Sequence, residues 1–226
     1  MKGSPISFWG KISKDASGLV TAWHPLEDHC CDVAACFELF LEQDITRIRL
    51  AKLGGCPDLN RCQRQRLCVL AALHDIGKFN NGFQNKSGDG PGPRAGHVRE
   101  ALALFGNRTE ATSKLSDAVD FDALGSWCGE QDGVQWLLVA SLCHHGRPES
   151  LRARHEPFLW ENRTGRDPFD GIERLVRCSK EWYPDAWTIG GSSLPDDPRF
   201  QHAFSGLVSL ADWMGSYVRF FPFGEG

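Results

Sequence analysis

The sequence has no cysteine pair at C-x-x-C spacing, no apolar run of membrane-spanning length, no Gly-x-x-x-x-Gly-Lys-Ser/Thr loop and no excess of positive charge. Each absence removes a class of protein. Nine cysteines are present (Cys30, Cys31, Cys36, Cys56, Cys62, Cys68, Cys128, Cys143 and Cys178), an odd number with several on apolar helix faces. Without C-x-x-C they do not read as a zinc ribbon, and reduced thiols in a cytoplasmic protein are expected. Met1 to Gly10 lacks a charged start followed by an apolar core, so no secretory signal is read, and no membrane span is expected. The net charge of −4 excludes a strongly basic nucleic-acid binder. It leaves room for a local basic groove, because bound metal ions supply positive charge of their own. No strand-like alternation dominates, and there is no internal repeat and no linker long enough to divide the chain. The 226 residues, 41% of them apolar, therefore read as one all-α domain over residues 1–226, with enough apolar surface for a core.

What is present is a series of helices separated by loops, many of them rich in the 24 glycines and 12 prolines. Trp23-His24-Pro25-Leu26 reads as a helix entry with Pro25 at the first helical position. The helix that follows buries a face through Val33, Ala34, Phe37, Leu39, Phe40 and Leu41. A further helix spans about Asn60 to Ile76, basic in its first half (Arg61, Arg64, Arg66) and apolar in its second, with Gly77 allowing a turn. Residues 85–93 are loop by composition, and His97 opens an amphipathic helix. Residues 107–133 show weak periodicity. Later helices are expected over Val134 to His145, around Ile172 to Trp182, and over about Phe200 to Phe221.

Against this apolar background a few side chains have no packing reason to be where they are. His74-Asp75 ends the run Ala71-Ala72-Leu73. His144-His145 ends Trp136 to Cys143. Asp212 interrupts Gly206 to Ala211, and His29 and Asp32 precede the apolar stretch from Val33. Burying ionisable groups is costly unless they are paired or bind a metal. In order, the candidate ligands are His29, His74, Asp75, His97, His144, His145 and Asp212. Imidazoles and carboxylates suit divalent transition metals, and seven ligands exceed one mononuclear site. Two ions sharing the Asp75 carboxylate fit better, since metals about 3.5–4 Å apart can activate a water and stabilise both the attacking and leaving oxygens of a phosphodiester. Blander readings compete at single positions. His144-His145 beside Gly146 suits a helix C-terminus, and Asp212 could pair with Arg219. His24, His155 and His202 read as surface residues.

The order His…His-Asp…His…His-His…Asp resembles the HD phosphohydrolase superfamily. More narrowly it is similar to the HD nuclease domain of the type I CRISPR-associated helicase-nuclease. The closer likeness rests on Trp23 to Ala34, on Leu73-His74-Asp75-Ile76-Gly77-Lys78-Phe79 with Phe83-Gln84, on His144-His145-Gly146 and on Ser209 to Ser216. It implies an HD-domain helical bundle with loop insertions. It also implies one metal held by His29, His74, Asp75 and Asp212, a second held by Asp75, His97, His144 and His145, and Lys78 facing the scissile phosphate. His24 and His29 compete for the first ligand. His29-x-x-Asp32-Val33-Ala34 matches the superfamily's first motif better, and His24 stands beside Pro25.

The resemblance further implies cleavage of single-stranded DNA in CRISPR interference. Its partners would be a helicase domain or subunit and a guide-RNA surveillance complex (Cascade). With no phosphate-binding loop in the chain, either an excised N-terminal domain or a separate nuclease subunit is expected. The ions implied are Mn, Fe, Co or Ni, with Mg an allowed alternative that prefers all-oxygen shells. A hydrolase of nucleotides or cyclic nucleotides would use the same metals in a closed pocket. The loops at 85–96 and 147–170, with Arg147, Arg152, Arg154, Arg163 and Arg166, fit an open groove better. A binding module with a vestigial site is a third possibility, opposed by the complete ligand set.

Overall fold

A hairpin comes first. In the computed structural model, which describes residues 8–88, 92–106, 109–129, 131–146, 154–163 and 165–225, strand β1 (Trp9–Lys14) pairs antiparallel with β2 (Val20–Pro25). Asp15 turns the chain between them, its carboxylate accepting from the Ser17 and Leu19 amides at 2.8 and 3.0 Å. A two-residue strand near the C-terminus, β3 (Gly224–Glu225), adds to β2. This three-stranded sheet is a small addition to a chain that is mostly helical, as expected, and the sequence does not announce it. Its strands are short and Gly10 interrupts β1, so the period-2 pattern barely develops. Pro25 is accordingly the last residue of β2 and the N-cap of the first helix, not its first turn.

The rest is helical. α1 (Leu26–Glu42) buries Leu26, His29, Cys30, Val33, Ala34, Phe37 and Leu41 on one face, the 3.6-residue spacing of a core-facing stripe. After α2 (Asp44–Leu53), α3 (Arg61–Ala72) starts on a capping box in which Asn60 and Gln63 exchange side-chain-to-backbone hydrogen bonds at 3.0 Å. From Leu67 to Ala72 α3 is buried all round. Arg66, read from sequence as part of a basic stretch, is buried too. Its guanidinium donates to the carbonyls of Ala186, Thr188 and Ser192 and lies 5.5 Å from the centre of the Trp127 ring, so the charge is fully partnered.

At Ala72 the helix tightens into a 3-10 stretch over Leu73–Phe79, followed by α4 (Asn81–Gln84). The amphipathic helix expected after His97 is α5 (Val98–Gly106), and the weakly periodic region that follows holds α6 (Glu110–Ala118) and α7 (Phe121–Gly125), leading to α8 (Gln131–Leu142). α9 (Pro168–Trp182) and α10 (Pro198–Gly215) start on Asp N-caps, each followed by proline at the first helical position. α1 packs on α3 and α10, α10 on α8, and α8 on the 73–79 stretch. A contiguous apolar core links them, with Phe37 edge-on to Phe204 at its centre. Among the described residues no helix is long and apolar enough to cross a membrane.

Candidate metal centre

Adjacent residues on a regular α-helix point about 100° apart, so His74 and Asp75 could not both face one point from within α3. The 3-10 stretch brings them round. Asp75 sits at φ −112°, ψ 19°, and its Oδ2 comes within 3.1 Å of His74 Nε2 and 3.1 Å of His29 Nε2 from α1. Asp212 reaches in from α10, its Oδ1 3.3 Å from His29 Nε2 and 3.8 Å from His74 Nε2. Ser216, one turn later, donates to that same oxygen at 2.9 Å.

The other oxygen of Asp75 faces a second group. Oδ1 lies 3.3 Å from His97 Nε2 and 3.9 Å from His144 Nε2. His97 and His145 bring their Nε2 atoms to 3.0 Å of each other. Gly77 makes this possible by close approach, not by turning the chain: a Cβ there would lie 2.0 Å from the His97 carbonyl oxygen, so any side chain would push His97 away. The donor atoms thus fall into two clusters, His29, His74, Asp75 and Asp212 in one and His97, His144 and His145 in the other, with Asp75 reaching both.

The donor set fits divalent ions. His74 Nδ1 lies 2.9 Å from the Ala71 carbonyl and His144 Nδ1 3.0 Å from that of Ser141. A carbonyl only accepts, so each Nδ1 carries a proton and each Nε2 is turned to the centre. Asp75 Oδ1 and His144 Nε2 are buried and make no hydrogen bond, an arrangement that costs stability unless a further group takes the lone pairs.

Electrostatics agree. Burial, opposed in part by Asp75, pushes the His97 imidazole down to about 3. Burial together with His74 does the same to His144. Both therefore offer lone pairs at neutral pH. Burial alone would lower His74, but Asp75 and Asp212 overcome it and lift it to about 9. Burial likewise opposes ionisation of Asp75, and Lys78 with the surrounding imidazoles holds its carboxyl far below the usual range. In the metal-free chain the His74 imidazolium balances the carboxylates, and a bound cation would displace that proton.

The seven candidate ligands are thus brought together. Lys78 joins them from behind, its ammonium 2.5 Å from Asp75 Oδ2 and 3.2 Å from the Gly10 carbonyl. His24 does not join. It is buried on β2, not on the surface, with Nε2 2.8 Å from Asp32 Oδ2 and its ring stacked on Phe223. His155 is half-buried and His202 exposed. Asp212 meets Lys11 at 3.5 Å, in place of the Arg219 considered from sequence. Lys11 escaped sequence reading altogether, since its place depends on a strand that the pattern does not announce. Of the loop arginines, Arg147 and Arg152 lie outside the described residues. Arg154 pairs with Glu156 and Arg163 with Glu161, while Arg166 lies 5.9 Å from the centre of the Phe8 ring.

Comparison with known proteins follows the same lines. The family model described as Cas3, HD domain matches residues 9–221. A curated relative, the CRISPR-associated endonuclease/helicase Cas3 of Escherichia coli (strain K12), is 27% identical over 252 aligned positions, covering 93% of this chain and 26% of the relative. The chain thus spans about a quarter of that relative's length. Among solved structures, one described as a CRISPR-associated protein superposes with a TM-score of 0.66 at 22% identity, over 99% of this chain and 25% of that one. The Thermus thermophilus Cas3 HD domain in the presence of Ni2+ gives 0.55 at 21% identity, over 89% of this chain and 75% of that one.

Proposed function

The chain belongs to the Cas3 HD-domain family, and from that premise we propose that residues 1–226 form one metal-dependent nuclease domain that hydrolyses phosphodiester bonds of single-stranded DNA. The observation that carries this reading is the division of the Asp75 carboxylate, one oxygen toward His29 and His74 and the other toward His97 and His144. Such a division supports the reading of Asp75 as a carboxylate that would be shared by two ions. His29, His74, Asp75 and Asp212 would hold one ion, and Asp75, His97, His144 and His145 the other. Five of the seven ligands are imidazoles, which favours Mn, Fe, Co or Ni over Mg. Two such ions would supply a water-derived nucleophile at neutral pH and offset the charge of the phosphodiester.

The protein's own residues do the rest. The carbonyls of Ala71 and Ser141 fix the rings of His74 and His144, and Ser216 orients Asp212. Lys78 keeps Asp75 ionised and adds positive charge beside the phosphate position. Phe79 and Phe83 are core residues, whereas Trp213, 75% exposed and next to Asp212 in sequence, is free to stack on an unpaired base. A flexible strand can bend into a recessed site where a stiff duplex cannot. In this reading a helicase domain or subunit and a guide-RNA surveillance complex expose the displaced strand to the nuclease, in the cytoplasm.

One assay tests the proposal. Equal masses of circular single-stranded DNA, linear duplex DNA and a nucleotide panel are incubated with the chain in chelator or in Mn. Cutting of the circle in Mn, with little duplex loss and none of either in chelator, is expected. Robust cleavage in chelator would sink the metal site, and fast nucleotide hydrolysis without DNA cleavage would replace the nuclease with a nucleotide phosphohydrolase.

A further inference from the structure

β1 is not a regular strand. Trp9 is opposite Pro25 and Lys11 is opposite His24, so Gly10 is an extra residue with no partner on β2, a β-bulge. Bulges re-aim the side chains beside them and recur next to active sites. Here the bulge sits directly on the metal centre. A Cβ on Gly10 would lie 3.0 Å from His29 Cβ and 3.2 Å from Leu26 Cα, so the strand is seated tightly on α1. The Gly10 carbonyl accepts from Lys78. The next residue, Lys11, is directed at Asp212.

Gln84 locks this strand in place. Its Oε1 accepts from the Trp9 amide at 3.1 Å, and its Nε2 donates to the Trp9 carbonyl at 3.0 Å and to the Lys78 carbonyl at 2.8 Å. The Trp9 indole returns a bond to the Gln84 carbonyl. The Phe83-Gln84 pair singled out in the sequence thus ties β1 to the stretch that carries His74 and Asp75. Lys11 is carried by that tied strand.

The two lysines at the centre differ in reach. The Lys78 side chain is 6% exposed and is engaged by Asp75 and Gly10; that of Lys11 is 28% exposed with Asp212 as its partner. We propose that Lys11 is a phosphate-binding residue of this site, its ammonium passing from Asp212 to a non-bridging oxygen of the phosphodiester when Asp212 is engaged by a metal. This rests on the phosphodiesterase reading above. An ammonium on a rigid strand, at the partly open side of a cluster of carboxylates, can meet an anionic substrate while itself ligating nothing.

The test uses the Mn-loaded chain with inorganic phosphate and bis(p-nitrophenyl) phosphate as probes, comparing wild type with Lys11→Met, Lys11→Arg and a remote control, Lys52→Met. Lys11→Gln serves where Lys11→Met fails to fold. Bound Mn per chain, phosphate affinity by calorimetry, and the kcat and KM for the diester are read together. Expected for Lys11→Met is unchanged Mn content with phosphate affinity lowered about 10- to 100-fold, the range for a charge-assisted hydrogen bond, while Lys11→Arg stays within a few-fold of wild type and Lys52→Met is unaltered. Loss of Mn with unaltered phosphate affinity per loaded site would overturn the proposal and leave Lys11 as a prop for Asp212. Full Mn with unaltered phosphate affinity would overturn it as well. A wild type that binds phosphate through Lys11 yet cuts no DNA would reject the nuclease reading and leave this one standing.

Discussion

His29, His74, Asp75 and Asp212 are between 0% and 5% exposed, and come from α1, the 73–79 stretch and α10, which share one core. Of the second cluster His144 is buried, but His97 is only half-buried and His145 is exposed. Their positions differ in kind too. His97 stands one residue before α5, and His144-His145 lie in the turn after α8. The buried quartet contributes two carboxylates, while the rim trio contributes imidazoles alone and borrows Asp75. Charge and preorganisation both favour the quartet as the tighter cation site, because low-dielectric surroundings strengthen the attraction and the ligands are already in place. The rim site would be the labile one, open to substrate and to exchange.

Asp75 lies in the quartet and reaches the second cluster through Oδ1, so Asp75→Ala erases the distinction and gives the largest effect. Cleavage should fall by about a thousandfold or more, the scale on which removing a central member of a catalytic unit acts. Both ions should be lost while circular dichroism stays unchanged. Full activity in that variant would mean the ligands are assigned wrongly. The next pair of variants sharpens the comparison. Asp212→Ala should empty the quartet site, and His145→Ala should weaken the rim site alone, lowering metal affinity there by at least about 10- to 100-fold, the loss seen when only a hydrogen-bonding partner of a ligand is removed. Metal analysis after desalting should find the quartet ion retained in His145→Ala and not in Asp212→Ala. Equal losses from both would contradict the ranking.

Smaller effects concern stability. In the metal-free chain His97 and His144, held down to about 3, bind fewer protons when folded than when unfolded, between their folded values and the ordinary 6.5. Stability therefore falls as pH drops from 6.5 toward 3. His74, lifted to about 9, has the opposite sign: its contribution is full below 6.5 and is lost as pH rises through 9. Thermal midpoints of the metal-free chain should peak near neutrality, and His74→Gln should flatten mainly the alkaline side, with a smaller change on the acid side because His74 helps hold His144 down. A monotonic profile would refute this division. Least of all, His24→Ala should retain cleavage within a few-fold and lower stability by about 0.5–1 kcal/mol for the lost Asp32 pair. An inactive, folded His24→Ala would return His24 to the ligand set.

The candidate ligands His74, Asp75, His144, His145 and Asp212 were legible in the sequence because they end or break apolar runs, and the cost of a lone buried charge makes such a break informative. His29 stands at the edge of such a run, and His97 is placed only by its order along the chain. The helices that carry or lead into them, α1, α3, α8 and α10, were legible by the 3.6-residue period. The hairpin was not, since a bulge at Gly10 and two short strands erase alternation. With it went Lys11, whose contact with Asp212 depends on that bulge. Gly77 read as a turn because glycine permits one, yet its role is the space it leaves for the His97 backbone, a long-range contact that local pattern does not encode. His24 looked exposed because its partner, Asp32, lies eight residues on, across a strand-to-helix junction.

The most direct measurement is calorimetric titration of Mn into the metal-free chain, followed by stepwise chelation with cleavage of circular single-stranded DNA measured at each step. The account predicts two ions per chain with separable affinities, the weaker leaving first and taking cleavage with it. A single ion at saturation, or cleavage that survives removal of both, would contradict a bridged pair of sites built on Asp75.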